Sequence, residues 1–246
     1  MDLINNPVIS DAMFFPRRAN PYDRFDIQVP GATLACSFAP IAESDDWTVV
    51  HFHGNGEVVA DWQGILDDEI NLLGWNMLLA EYRGYGASSG TPLLGDVLDD
   101  VALIIEAARP PEKLVLFGRS IGSLFALEAV SRFPNIAGVI IESGIADPIE
   151  LFLGSRMIGV PENDLAPFRS RLNHQEKIAN YAGPVLILHT KDDGLVDVSH
   201  AERLAEWAGG PTDIRIFERG NHGTIWWENK REYHQAVDDF LTGVRY

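Results

Sequence analysis

A serine between glycines in "GRSIG" (Gly118 to Gly122), a histidine between glycines in "GNHG" (Gly220 to Gly223) and the aspartates of "KDDGLVD" (Lys191 to Asp197) are the residue types that nucleophilic acyl transfer requires. A serine hydroxyl attacks a carbonyl when a base removes its proton, and histidine titrates in the range where that is easy. A carboxylate must then hold the imidazole in one tautomer and stabilise its cation. The five-residue pattern alone does not separate a nucleophile from a serine that caps a helix, so the elements around it have to decide.

Ser120 follows the apolar run "KLVLF" and precedes a segment of helical spacing, the strand-turn-helix order that an exposed nucleophile needs. In so sharp a turn the flanking backbone comes close, and Gly118 and Gly122 avoid the clash a Cβ would make. Helix N–H groups beyond the serine favour the oxyanion. Of the seven histidines, His222 lies on a glycine-flanked loop just past the last apolar strand. His200 and His234 fall in predicted helices, His174 in a long connection, and His189 in or at the end of a strand. For the carboxylate, Gly194 and the apolar pair after it favour Asp193 pointing inward, with Asp192 equally open on the residues alone and Asp197 the third choice. Oxyanion donors are expected from the backbone N–H of Ile121 and from Asn55 or Gly54 in the glycine-rich turn "HGNG". His51 and His53 share one side of a strand, but no third ligand stands near them, so no metal is expected and His53 is read as bracing the turn.

The elements that must position these groups alternate. "RFDIQVPGATLACSFAP" reads as two strands about a Pro-Gly turn, an antiparallel hairpin at a sheet edge. "WTVVHFHG", "WNMLLAEYRG", "KLVLFGRS", "AGVIIESG", "PVLILHTKDD" and "IRIFERG" read as buried strands. Helical spacing falls between them at Val58 to Leu73, Gly95 to Ala108, Ile121 to Phe133, Ser199 to Trp207 and Asn229 to Leu241. The expectation is an α/β fold: one domain over 1–246, with a mostly parallel, doubly wound sheet of about eight strands. Chemistry then belongs beyond the carboxyl ends of the strands, where each of the motifs falls. The long connection at 145–183 is a candidate lid, and Phe152, Met157 and Trp226 are candidates to line an apolar pocket, with Leu153, Ile158 and Trp227 beside them.

A formal charge of -17 would repel nucleic acid and anionic membrane surfaces and leaves a neutral substrate the easier fit, although Arg156, Arg169, Arg171 and Lys177 could reverse this locally. Cys36 is the single cysteine, so no disulfide framework or thiolate metal cluster forms. The start "MDLINNPVIS" lacks a basic and then apolar leader, and no run is long and apolar enough to span a bilayer; a cytoplasmic protein without cofactor is expected. "GYGASSG" after a strand has a dinucleotide flavour, but its glycine spacing is one residue too long and Thr91-Pro92 interrupts before any helix.

Together "HGNG", "EYRGYGASSG", "GRSIGS", "HTKDDGLVD" and "GNHG" resemble the oxyanion loop, post-strand turn, elbow, acid loop and histidine loop of the α/β-hydrolase family. The resemblance covers nearly the whole chain. Within that family it is similar to the small serine hydrolases of the Bem46 group and of the α/β hydrolase domain-containing 13 and 17 groups. It implies Ser120 as nucleophile, His222 as base and Asp193, over Asp192, as acid, acting on a small-molecule ester or thioester. Thr190, where glycine is frequent, and Asn221, where a small residue is frequent, depart from the family pattern. The cysteine-rich amino terminus of the palmitoyl-cysteine hydrolases in this group is not matched, so their membrane recruitment is not expected to transfer.

Overall fold

The computed structural model describes residues 3–42, 45–108, 110–154 and 161–246. In chain order its strands are β1 (Phe25–Val29), β2 (Ala32–Ala39), β3 (Thr48–Phe52), β4 (Asn76–Ala80), β5 (Leu114–Arg119), β6 (Gly138–Glu142), β7 (Val185–Thr190) and β8 (Thr212–Phe217). Its helices are α1 (Pro7–Met13), α2 (Val59–Trp62), α3 (Leu66–Leu72), α4 (Leu94–Ala108), α5 (Gly122–Arg132), α6 (Glu162–Arg171), α7 (His174–Ala179), α8 (Ser199–Trp207), α9 (Ile225–Glu228) and α10 (Lys230–Arg245).

One eight-stranded sheet runs in the order β1-β2-β4-β3-β5-β6-β7-β8. β1 and β2 pair antiparallel about Pro30-Gly31, where Gly31 takes the positive φ of 76° that the tight turn requires. β2 meets β4 antiparallel, and every pairing from β4 onward is parallel. The doubly wound sheet and its hairpin therefore match the expectation.

Because side chains alternate along a strand, β3 and β5 feed two cores. Val50, Phe52, Leu114 and Leu116 join α4 and α5 on one face, with Phe125 wholly buried among them. Val49, Val115 and Phe117 join α3 and α10 on the other. Parallel strands covered on both faces lose their polar alternation, which is why β3 to β7 read as continuous apolar runs.

Two expectations change, and two further stretches gain elements. Val58 to Leu73 is two short helices, because Gln63 leaves the helical region and Gly64 turns at φ 74°, with its N–H accepted by Asp67 Oδ1 at 2.6 Å. The amino-terminal stretch forms α1, started by Asn6, whose side chain accepts from Val8 N–H, and by Pro7 in the first turn. "IRIF" is buried only at Phe217: β8 is the sheet's last strand, and Ile214 and Ile216 are each 36% exposed. The long connection holds α6 and α7, with Leu165, Phe168 and Ile178 buried in the α5-side core. Lys177 Nζ donates to Glu128 Oε2 of α5 at 2.7 Å, and Arg171 pairs with Asp99 of α4 at 2.7 Å.

Candidate active site

β5 ends at Arg119 and α5 starts at Gly122, leaving Ser120 in the turn at φ 53°, the left-handed region that costs a non-glycine residue about 1–2 kcal/mol. Hydrogen bonds hold it there. Its N–H donates to the Glu142 carbonyl at 2.8 Å, and its own carbonyl accepts from the N–H and Oγ of Ser123 at 3.0 and 2.6 Å. The glycines are required by space: a Cβ on Gly122 would lie 1.9 Å from the Phe52 carbonyl oxygen, and one on Gly118 would lie 2.8 Å from the Gly122 carbonyl oxygen. The elbow thus packs against the end of β3 and carries the Ser120 side chain at the carboxyl edge of the sheet.

Two loops from distant parts of the chain converge on that hydroxyl. His222 Nε2 lies 2.9 Å from Ser120 Oγ, and His222 Nδ1 lies 2.7 Å from Asp193 Oδ2. A carboxylate only accepts, so Nδ1 carries the ring proton and Nε2 accepts from the serine. Asp193 is 7% exposed, while Asp192 and Asp197 of the same loop face solvent. Burial would push the Asp193 carboxyl up, but the hydrogen bond from His222 and the N–H groups of Val196 and Leu195, both at 2.9 Å, hold it at about 2. It stays ionised beside the imidazole.

The "HGNG" turn is braced from beneath. His53 faces acceptors with both ring nitrogens, Glu81 Oε1 at 2.7 Å and the Gly54 carbonyl at 2.9 Å, an arrangement that favours the imidazolium. Burial opposes that charge, but Glu81 outweighs it and raises the His53 pKa. Asn55 accepts from Phe15 N–H and Tyr85 O–H and donates to the Met13 carbonyl, which fixes the turn against the chain's amino-terminal part. The Gly54 N–H donates to Glu57 Oε2 at 2.8 Å. As an oxyanion donor Gly54 is therefore corrected, because a carboxylate already occupies its proton. Of the expected donors, Ile121 at the amino end of α5, where helix N–H groups lack intrahelical acceptors, and Asn55 remain.

Arg119, Glu57, Glu142 and Tyr233 do not stand out in the sequence. Arg119 is 6% exposed; its Nε donates to Glu57 Oε1 at 2.8 Å, its Nη1 to Glu142 Oε1, and its Nη2 to the His222 carbonyl at 3.0 Å. Glu142 also accepts from Tyr233 O–H, and Glu57 Oε2 from Trp62 Nε1 at 3.1 Å. Burial would lower the guanidinium's pKa, but Glu142 and Glu57 raise it. The readable signal was a charge ending an otherwise apolar strand, in "LVLFGR" and in "GVIIE".

The expected pocket residues do not come together. Phe152 packs against the α5-side core and Trp226 against the α10-side core, on opposite faces of the sheet. Trp226 instead lines a cavity of about 640 Å³ with Leu66, Phe117 and Tyr233 between α3 and α10. Leu153 is buried, Trp227 is 62% exposed, and Met157, with Arg156 and Ile158, lies outside the described residues. Among the described residues no group of three or more His, Cys, Asp or Glu could hold a metal ion. Nor is any described helix long and apolar enough to cross a membrane.

A mostly parallel sheet with an antiparallel leading hairpin, and a strained serine where its central strand passes into a buried helix, are the architecture of the α/β hydrolases, and the chain has that fold. A family profile described as serine aminopeptidase, S33, matches residues 43–159. The uncharacterised protein YfhR of Escherichia coli strain K12 is 29% identical over 203 residues, covering 79% of this chain and 69% of its own. Human α/β hydrolase domain-containing protein 17B is 27% identical over 221 residues, covering 86% of this chain and 72% of its own. Among solved structures, Est1E of Butyrivibrio proteoclasticus, with bound ferulic acid, superposes with a TM-score of 0.74 at 17% identity over 89% of this chain and 98% of that one. The chain is thus similar to the 17B-like α/β hydrolases in sequence and to Est1E in fold.

Proposed function

We propose that this α/β hydrolase cleaves a carboxylic ester or thioester through Ser120, His222 and Asp193 by way of an acyl-enzyme. The observation that carries the proposal is one imidazole bridging a strained serine hydroxyl at 2.9 Å and a buried, ionised carboxylate at 2.7 Å. His222 Nε2 takes the hydroxyl proton as Ser120 Oγ adds to the carbonyl carbon, and Asp193 stabilises the resulting imidazolium. The oxyanion accepts from the N–H groups of Ile121 and Asn55, each donor of this kind being worth about 2.7–4 kcal/mol. Collapse expels the alkoxide or thiolate, which leaves with the His222 proton. Water then gives a proton to His222 and attacks the acyl carbon, and the proton returns to Ser120.

The charge of -17 supports a neutral or apolar acyl group over an anionic one. The stretch 145–183 is proposed to cover the site, with α6 and α7 within it tied to α4 and α5 by Arg171 and Lys177. The match to a serine aminopeptidase profile supports amide cleavage as a second reading on the same apparatus. A chain-length series of p-nitrophenyl esters, run beside acyl thioesters and aminoacyl amides, separates the classes, and a preference above about tenfold, or 1.4 kcal/mol, identifies the substrate. A fluorophosphonate probe should label the wild type and not Ser120→Ala. No labelling and no turnover of any class would instead describe a catalytically silent scaffold and overturn the proposal.

A further inference from the structure

We infer that Arg119 is a positioning residue: its guanidinium sets the His222 loop and the "HGNG" turn in register with Ser120. This rests on the hydrolase reading given above. The three acceptors it reaches belong to three different parts of the chain: Glu57 after β3, Glu142 at the end of β6, and the backbone carbonyl of His222 after β8. Among the described residues Arg119 alone bonds both the base loop and Glu57 of the oxyanion turn. Glu57 transmits the constraint, because its second oxygen accepts the Gly54 N–H at 2.8 Å beside Asn55. Glu142 does so on the other side: its carboxylate is also held by Tyr233 O–H of α10, and its backbone carbonyl accepts the Ser120 N–H at 2.8 Å.

The arrangement needs arginine. A planar fork with donors on three nitrogens reaches three acceptors in different directions, whereas a lysine ammonium on its flexible stem reaches one or two and holds no plane. Trp62 closes the remaining side, its ring centroid 5.9 Å from the guanidinium carbon. The His222 ring turns about a main chain that Arg119 fixes at the carbonyl. Loosening that bond lets the imidazole leave the line between Asp193 Oδ2 and Ser120 Oγ without removing any reacting group.

Arg119→Lys keeps a cation between the two glutamates and gives up the bond to His222. Expected for this variant are a fall of 10- to 100-fold in fluorophosphonate labelling rate and in kcat for the best chromogenic ester, a KM within threefold, and a melting temperature within a few degrees. The downfield proton resonance of His222 Nδ1–H should broaden or move upfield, a change that a role confined to packing would not produce. Arg132→Lys, at an arginine equally engaged with Asp99 and Glu128 but on α5 away from the site, should leave all five readouts unchanged. If Arg119→Lys misfolds, Tyr233→Phe, which only loosens Glu142, should lower kcat by a smaller factor and shift the same resonance. The inference is overturned if folded Arg119→Lys, or Tyr233→Phe in its place, keeps the wild-type rate and resonance. Labelling that persists in Ser120→Ala would instead overturn the hydrolase reading beneath it.

Discussion

Replacing Gly122 by alanine puts a methyl group 1.9 Å from the Phe52 carbonyl oxygen, 2.7 Å from its carbon and 3.0 Å from the His53 carbonyl oxygen. All three neighbours are backbone, so no side chain can swing aside. The shortest separation that real Cβ atoms tolerate is 3.0 Å, so the elbow and the end of β3 must part by 3.0 − 1.9, or about 1.1 Å. Over-packing of this kind costs about 1–3 kcal/mol, which at this chain length lowers the melting temperature by about 2–12 °C. The chemical cost should be larger, because the movement separates Ser120 from the "HGNG" turn that follows Phe52, and about 1 Å of misplacement can cost about 100-fold in rate. Two measurements suffice: the second-order rate of fluorophosphonate labelling and a thermal melt. Gly243→Ala is the matched control, since a Cβ there meets nothing within 4 Å and should stabilise α10 by about 0.5–1 kcal/mol. Should Gly122→Ala label within threefold of wild type and melt within 2 °C of it, the steric account of the elbow fails.

Strain and titration give two further expectations. Because Ser120 sits at φ 53°, Ser120→Gly should be more stable than Ser120→Ala by about 0.5–1 kcal/mol although both are inactive; equal denaturation midpoints would show that the elbow stores no strain. His174, wholly buried with Nδ1–H donating to the Ile145 carbonyl, is pushed down to about 3 by burial and by Lys177, so the unfolded chain binds a proton below about pH 6.5 that the folded chain refuses. Its contribution is whole above pH 6.5 and falls by about 1.4 kcal/mol per pH unit on acidification, about 2 kcal/mol by pH 5. Asp193, held at about 2, adds its own loss only between about pH 4 and 2. His174→Asn, which retains a donor for Ile145, should flatten the urea stability profile between pH 6.5 and 4, and a profile parallel to wild type would exclude His174 as its source.

What the sequence made legible is what short range determines. β3 to β7 were readable because both faces of these strands are covered, and "GRSIG", "KDDGLVD" and "GNHG" were readable because each loop's chemistry and its turn residues lie within a few positions. The break at Gly64 was hidden, since a helical pattern on either side of one glycine looks continuous until its positive φ is known. β8 misled because an apolar run says nothing of how many neighbours a strand will have. Phe152 and Trp226 look alike as apolar residues near the motifs, yet the sheet lies between them. Arg119 was illegible for the same reason of range: its contact with His222 spans 103 positions.

Three groups of buried charges share one placement, unlike the Lys177–Glu128 pair between α7 and α5. Arg119 with Glu57 and Glu142, His53 with Glu81, and Arg83 with Asp100 at 2.5 and 2.6 Å each include a residue at or just past the carboxyl end of a central strand, while the strand interiors on both faces are mainly apolar. Burying an ion pair returns little net stability, since desolvation consumes most of the Coulomb attraction, but removing one partner costs about 3–5 kcal/mol. Such pairs are therefore poor at holding a sheet together and good at forbidding alternative loop arrangements. That distinction matters most where loops of separate origin must meet within hydrogen-bond distance, and β3, β4, β5 and β6 end there. In a chain whose surplus charge is negative, every buried cation finds a carboxylate readily, so it is the scarce arginines and histidines whose positions fix the geometry.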